Sequence, residues 1–456
     1  MRVISNISIY YFILLLLGCA ARQDMLLSSN SVLGLNDKIQ KSYNINTNWW
    51  TDFHDLQLNK IIDIALKKNA EFATSAINIK KALYQAKLLG AELLPELSSS
   101  GSLETSSDLN QDRNSNSIFK GVATINYELD IWRKLYAART AGEAEYEATI
   151  EDYYALRLTL VNNVIDVYFR LSYIYSAINI IKNKINIYEK LVKNTQAKFL
   201  LGKIPSLDLQ KSRQSLFAAR QQLISLQFEQ QIARQSLIQA LNIKPTELSW
   251  LNYPNILSCK TLNIDLNIPL AVLANRPDVK AAEYRLKKSF FNITSAEKEL
   301  YPSISISYGI SSSSSELKTA LNFPLELATI QIKLPFLNWN KIKWNIKISE
   351  ADYDIAKIDF ESKIKISLNE INTAYFSYNN SLESYQTALD KYTTDIKIVN
   401  YYKTRYENGA DDITDWLDAE AVAIDSDLTT LRTYYEIIKS EITIFKALAG
   451  RYTLKN

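Results

Sequence analysis

The sequence predicts a mixed α+β chain, mainly helical, in which one unit of helix, β-hairpin, very long helix and helix is used twice. Three observations lead there. Residues 65–242 slide by 207 positions onto residues 272–449 without a gap, and the residues hardest to match by accident coincide: Pro95 with Pro302, Trp132 with Trp339, Phe169 with Phe376, Gly202 with Gly409, Asp208 with Asp415. A constant offset through helices, strands and turns means two copies of one structural unit. Chain breakers are also scarce, with 10 Gly and 9 Pro in 456 residues, so the length belongs to one elongated body rather than to several compact domains. Finally, period-two segments follow Pro95 and Pro302, and each leads into a stretch free of Pro that is longer than a globular domain uses.

The N-terminus is an export signal. Residues 1–18 carry Arg2 and an apolar run ending in Leu14-Leu15-Leu16-Leu17-Gly18, too short for a membrane span. The small residue before Cys19 resembles the bacterial lipoprotein box, which predicts that Cys19 is acylated and begins a lipidated segment over residues 19–55. Several acyl chains on one Cys anchor firmly where a single chain binds only marginally. Cys259 is then the only thiol left and His54 the only His, so neither an intrachain disulfide nor a Cys/His metal site is expected. No nucleophile, metal cluster or phosphate loop appears, and a net charge of +3 is too small to imply a nucleic-acid partner. The composition excludes an enzyme and calls for no cofactor beyond the lipid.

The first repeat occupies about residues 56–250. A helical pattern from Leu56 to Leu94 stops at Pro95, and a hairpin follows over about 97–131, with strands of about ten residues each side of a turn rich in Asn, Asp and Ser. From Leu135 to Phe199 the only breaker is Gly142, and Leu160, Val164, Val167, Leu171, Ile174, Ile178, Ile181, Ile185, Tyr188 and Val192 alternate spacings of four and three. That is a heptad seam on a helix about 100 Å long. Gly202 ends it and a second helix returns to Leu241. After a linker over 251–267, the second repeat fills about 268–450, with its hairpin at about 303–338 and a long helix from Ile342 to Tyr406. Its seam is more polar, through Ser367, Ala374, Ser381 and Tyr392. Gly409 makes the turn, and a helix returns to Leu448 before a tail at 451–456.

Weak alternation such as Ser303-Ile304-Ser305-Ile306-Ser307-Tyr308 fits a membrane strand with one face toward lipid and one toward a polar lumen. Two hairpins give four strands, and an open four-stranded sheet in hydrocarbon leaves unsatisfied edges costing several kcal/mol per group. Such a sheet must close, and one chain cannot close it.

On this frame the chain resembles the TolC-like outer-membrane efflux factors, most closely the NodT-type lipoprotein branch serving resistance-nodulation-division and related pumps. The resemblance runs through Cys19, Trp49-Trp50 to Phe53, Ala65-Leu66 with Asn69, Tyr127-Glu128-Leu129-Asp130-Ile131-Trp132, Arg276-Pro277-Asp278-Val279, Tyr301-Pro302-Ser303 and both Gly turns. It implies a homotrimer with a twelve-stranded transmembrane β-barrel, four strands per chain, continued by a periplasmic α-helical barrel closed at its tip at rest. It also implies the outer membrane of a Gram-negative bacterium as location, a periplasmic adaptor and an inner-membrane transporter as partners, and a passive exit duct as function. Type I protein secretion uses a similar frame and is the alternative within the family. A periplasmic coiled-coil structural or adaptor lipoprotein is the alternative outside it, and the strands after Pro95 and Pro302 argue against that. In the family, aspartates after the second Gly turn ring the constriction; they correspond to Asp415 and Asp418, which share a helix face at i, i+3. Three chains would bring six carboxylates to one axis, favouring cations and opposing ionisation. Without the resemblance, both read as ordinary helix N-terminal acids. Tyr406 and Asp208 correspond to latch positions between neighbouring coils. Asp411 stands where the latch has a basic residue, so with Asp412 the tip is expected to be more acidic, its closed state looser and held by Tyr406 and packing.

Overall fold

The computed structural model describes residues 43–107, 115–262, 264, 268, 270–316, 318, 319, 322, 323 and 325–454; Cys19 and the expected export signal lie outside them. The chain runs β1 (Tyr43–Asn46), α1 (Leu56–Lys68), α2 (Ala70–Ala91), β2 (Glu96–Ser107), β3 (Ser115–Leu129), α3 (Lys134–Leu200) and α4 (Ser206–Leu241). It continues with α5 (Pro277–Lys298), β4 (Ser303–Ser314), β5 (Leu325–Lys333), α6 (Trp339–Glu407), α7 (Ile413–Ala447) and β6 (Arg451–Leu454).

The helical pattern expected to run unbroken from Leu56 is split at Asn69. Asn69 leaves the helical region at ψ 125°, its side chain accepts from the Phe72 N–H at 2.9 Å, and its amide donates to the Ala240 carbonyl at 2.9 Å. An Asn side chain that substitutes for backbone hydrogen bonds ends one helix and starts the next without Pro or Gly.

The four long strands form one antiparallel sheet in the order β2-β3-β4-β5. Its register separates two chemistries that the sequence only hinted at. Leu97, Ile125, Tyr308 and Ala328 lie in one row, followed on the same face by Tyr127, Ile306 and Ile330 and then Leu129, Ile304 and Ile332. The opposite face carries Asn126, Ser307 and Thr329, then Glu128, Ser305 and Gln331. Leu97, Ile330 and Ile332 are more than 60% exposed, so the described residues offer these side chains little cover. In these rows, nearest the helices, an apolar sheet face opposite a polar one matches lipid outside and water inside; farther along, Glu326 falls on the first face and Leu325 and Leu327 on the second.

The turn from sheet to helix is built by the residues around Trp132. The Asp130 carboxylate accepts from the N–H groups of Leu135 and Tyr136 at 3.0 and 2.8 Å, satisfying the first turn of α3. The Trp132 indole donates to the Pro302 carbonyl at 2.8 Å and stacks on Tyr301 at 4.9 Å, locking the root of the first hairpin to that of the second.

The main core sits along the middle of α3, where the expected seam is buried from Leu160 through Ile181. Beyond it the structure departs from the sequence reading. Ile185, Tyr188 and Val192 are only half-buried, and the buried face passes to Lys184, Ile187, Leu191 and Thr195. A helix near 3.6 residues per turn drifts about 20° per heptad away from a 3.5 repeat, so a strict seam walks off the contact. The polar seam of α6 is matched in part: Ser381 meets Ser440 at 3.1 Å and the Thr430 hydroxyl donates to the Ala388 carbonyl at 3.2 Å, while the buried Ser367 hydroxyl has no hydrogen-bond partner among the described residues. Around this core Trp49 packs on Phe445, Phe53 on Phe169, and β1 pairs with β6. His54 is exposed, in a left-handed conformation that ends the short turn over Trp49–Phe53.

Arg276 fastens the second repeat together. Its buried guanidinium donates to Asp278, to Glu370 on α6 at 2.7 Å and to the Ala447 carbonyl on α7 at 2.8 Å. Removing one partner of such a buried pair strands the others, so Arg276→Ala is expected to cost about 3–5 kcal/mol. A denaturant titration of the detergent-extracted protein checks this, and an unchanged midpoint would contradict it.

Candidate functional site: the helical tip

The end of the helices opposite the sheet is closed by two turns of the same geometry. The Gly202 N–H donates to the Phe199 carbonyl at 2.9 Å and the Lys203 N–H to Lys198 at 2.9 Å; in the second repeat Gly409 donates to Tyr406 at 2.9 Å and Ala410 to Arg405 at 2.8 Å. Both glycines are left-handed, at φ +68° and +70°, and a Cβ on either would meet nothing within 4 Å. Backbone conformation, not space, demands Gly there.

The side chains around the turns differ. Phe199, Leu200, Leu201 and Leu207 surround the first turn and are exposed. The second turn is polar, and Asp411 and Asp412 each have a cation. Arg405 grips Asp411 through two nitrogens at 2.5 and 2.8 Å. Lys198, from the first repeat, pairs with Asp412 and donates to the Thr414 hydroxyl at 3.1 Å. Asp412 also caps α7, accepting from the Thr414 N–H at 2.8 Å. The tip is therefore less acidic than a count of its aspartates suggests: Asp411 and Asp412 are neutralised within the chain. Arg405 holds Asp411 below the usual carboxylate range. For Asp412, burial opposes ionisation, but Lys198 and Thr414 outweigh it and hold the carboxyl at about 2.

Asp415 and Asp418 lie on one face of α7 and help line a cavity of about 260 Å³ with Asp395, Ile398, Tyr402 and Val422. Asp395 is buried and bonded to Lys391 at 2.8 Å and to the Ser426 hydroxyl. Among the described residues Asp418 has no such cation; partial burial raises its pKa, and neighbouring Asp415 raises it further. Tyr406 packs on Trp416 at 5.6 Å between ring centres, and the Lys403 ammonium stands over the same indole at 5.9 Å. Asp208 occupies the first turn of α4 as Asp415 does that of α7, their N–H groups donating to Pro205 and Asp412 at 3.2 Å each. Among the described residues no hydrogen bond joins Asp208 to Tyr406. Trp416, Asp395, Arg405 and Lys198 were not singled out by sequence reasoning. For Arg405 the available signal was a cation six residues before Asp411, closing a one-turn loop.

A helical shaft with an apolar-faced, open-edged sheet at one end and two left-handed Gly turns, one apolar and one charged, at the other has the form of an envelope channel subunit. The comparisons specify which. The outer membrane efflux protein family matches residues 61–242 and again 268–450, two stretches whose starts are offset as the repeats are, and this chain belongs to that family. It is 34% identical over 440 residues to toxin and drug export protein A of Aggregatibacter actinomycetemcomitans, covering 96% of both chains. It is 27% identical over 431 residues to the cation efflux system protein CusC of Escherichia coli, covering 94% of this chain and 92% of that one. The solved outer-membrane channel CmeC of Campylobacter jejuni superposes with a TM-score of 0.79 at 22% identity, over 89% of this chain and 88% of that one. The chain is thus an outer-membrane efflux channel protein of the Gram-negative envelope, in a family of channels rather than enzymes.

Two titrations of opposite sign follow at the tip. Asp418, with a raised pKa, contributes its full stability only when protonated and loses it as pH rises; Asp412, with a lowered pKa, contributes above its ordinary value near 4 and loses that as pH falls toward about 2. Asp418→Asn is expected to slow proteolytic nicking of the tip turns at pH 7 and to match wild type below about pH 4. Comparing variant and wild type at each pH cancels the protease's own pH dependence; equal nicking rates at pH 7 would refute the assignment.

Proposed function

We propose that the chain assembles as a homotrimer whose three sheets close a twelve-stranded barrel, anchored by lipid on Cys19 and continued by α3, α4, α6 and α7 as a hollow helical conduit. In this reading it is the passive exit duct of a tripartite system: a periplasmic adaptor and an inner-membrane transporter deliver small molecules to the tip. The observation that carries it is one sheet with an apolar and a polar face and two unpaired edges, held at the end of helices of 67 and 69 residues. A second reading, export of a toxin, is favoured by the name of the relative from Aggregatibacter. It needs the same duct and differs in the pump.

The gate in this proposal is the tip. Asp415 and Asp418 from three chains form a cation-favouring ring, while Tyr406 against Trp416 and the Lys198 pair with Asp412 hold the turns closed. In place of a latch cation at position 411, Arg405 supplies the charge from within the same chain, so Asp411 stiffens the turn rather than tying neighbours.

Loss of the gene is expected to sensitise the host to exported compounds, with restoration by the intact gene. In planar bilayers under a salt gradient, the double variant Asp415→Asn, Asp418→Asn should lower cation-over-anion permeability by about threefold or more. Unaltered selectivity would remove these residues from the constriction, and absence of any conductance would sink the duct.

A further inference from the structure

The two repeats carry opposite charge where the sheet meets the long helices. In the first, Lys134 at the start of α3 stands against two acids: it pairs with Glu128 at 2.6 Å, and Asp130 accepts from the N–H groups of Leu135 and Tyr136. Moved by one repeat, Lys134 becomes Lys341 near the start of α6, but Glu128 becomes Pro335 and Asp130 becomes Leu337. Two further lysines enter, Lys298 where the first repeat has Ala91 and Lys333 where it has Asn126. One lysine against two acids has thus become three lysines and no acid at the equivalent positions. The exposed Glu299 does not separate the repeats, since the first has the exposed Glu92 in its place.

The fold gathers these charges around one space. Lys134, Lys298, Lys333 and Lys341 all line a cavity of about 800 Å³ at the junction of the sheet with α3 and α6. Its floor is the polar face of the sheet, through Glu128, Ser305 and Gln331, which share one row. Lys333 lies two residues beyond Gln331 and so on the same face. Trp132 and Tyr301, stacked on each other, form a wall, and the Lys298 ammonium stands 5.1 Å from the centre of the Tyr301 ring. Of the lining acids, Glu128 is engaged by Lys134 and Asp130 by the first turn of α3, which leaves Glu299. Among the described residues no carboxylate pairs with Lys298, Lys333 or Lys341. Like charges around one space repel, and an anion held among them replaces that repulsion with charge-assisted hydrogen bonds.

We propose that this cavity is an anion site. It takes the carboxylate, sulfonate or phosphate of an acidic organic molecule among Lys298, Lys333 and Lys341, while the Trp132 and Tyr301 wall gives an apolar body attached to that group a surface to lie on. The site lies within one chain; that its floor is a lumen wall rests on the duct proposed above. On that reading the conduit carries charge filters of opposite sign in series, acidic at the tip and basic where the helices meet the barrel. An acidic cargo driven past the tip meets its counter-charge before it leaves.

Pyranine, a pyrene trisulfonate, is the probe that tests this. Fluorescence anisotropy with the full-length, detergent-extracted protein at low salt is expected to show saturable binding. The triple variant Lys298→Gln, Lys333→Gln, Lys341→Gln is expected to weaken that binding about tenfold or more. Lys343 stands over Trp339 and Trp344 outside the cavity, so Lys343→Gln is expected to change it by less than about twofold. If the triple variant does not reach the membrane, Lys341→Gln alone is measured, with about threefold weakening expected. In planar bilayers the probe is expected to reduce wild-type current and to leave that of the lysine variant unchanged. Absence of saturable binding, or an equal loss in Lys343→Gln, would overturn the site. Binding through these lysines without any effect on a conducting channel would overturn the filter, by taking the site off the lumen wall. Binding through them by a protein that never conducts would sink the duct and leave the anion site standing.

Discussion

Backbone hydrogen bonding at two strand edges constrains everything else in this molecule. β2 and β5 each present a row of N–H and C=O groups beside an apolar face that only hydrocarbon can cover. In water those groups would be solvated and the apolar face would be the liability; in lipid the face is satisfied and the edges cost several kcal/mol per group. No arrangement of a single chain relieves both. On the closed-ring reading proposed above, the chain's elongation, its exposed α6 face and the difference between its two tip turns share one cause.

Duplication makes the fold economical and its departures informative. Where the two repeats do the same job they agree: both hairpins share one internal register, both tip glycines are left-handed, and α2 and α5 begin and end at equivalent residues. Where they differ, the difference has a place. α3 carries an apolar seam into the core, whereas α6 carries a polar seam of Ser367, Ser381 and Asp395, of which Ser381 and Asp395 are tied to the Ser440 and Ser426 hydroxyls of α7. The first tip turn is apolar, and the second pairs Asp411 with Arg405 and Asp412 with Lys198. The Lys198 pair crosses between repeats, so the polar turn is anchored to the apolar one.

Much of the frame was legible because it is written in features with long reach: a repeat offset, period-two strands and breaker-free helices. Joining of the two hairpins through β3 and β4 was implicit in the closure requirement, but its register was not, since it depends on Trp132 reaching the Pro302 carbonyl. The break at Asn69 escaped because it is a side-chain event, not a Pro or Gly. The seam beyond Ile181 was misplaced because heptad spacing assumes a supercoil that this stretch of α3 does not keep. At the tip, Asp415 and Asp418 could be placed on one face from spacing alone. The pairing of Asp411 and Asp412 could not, because Lys198 reaches Asp412 from the other repeat.

The central claim is that the open sheet exists only as part of a closed barrel shared between chains. An electron-microscopic reconstruction of the particle extracted from outer membranes, without cross-linking, tests it most directly. Three copies around one axis, with twelve strands closed and each β5 edge occupied, are expected. A single-chain particle whose four-stranded sheet stays folded with both edges facing lipid or detergent would contradict it.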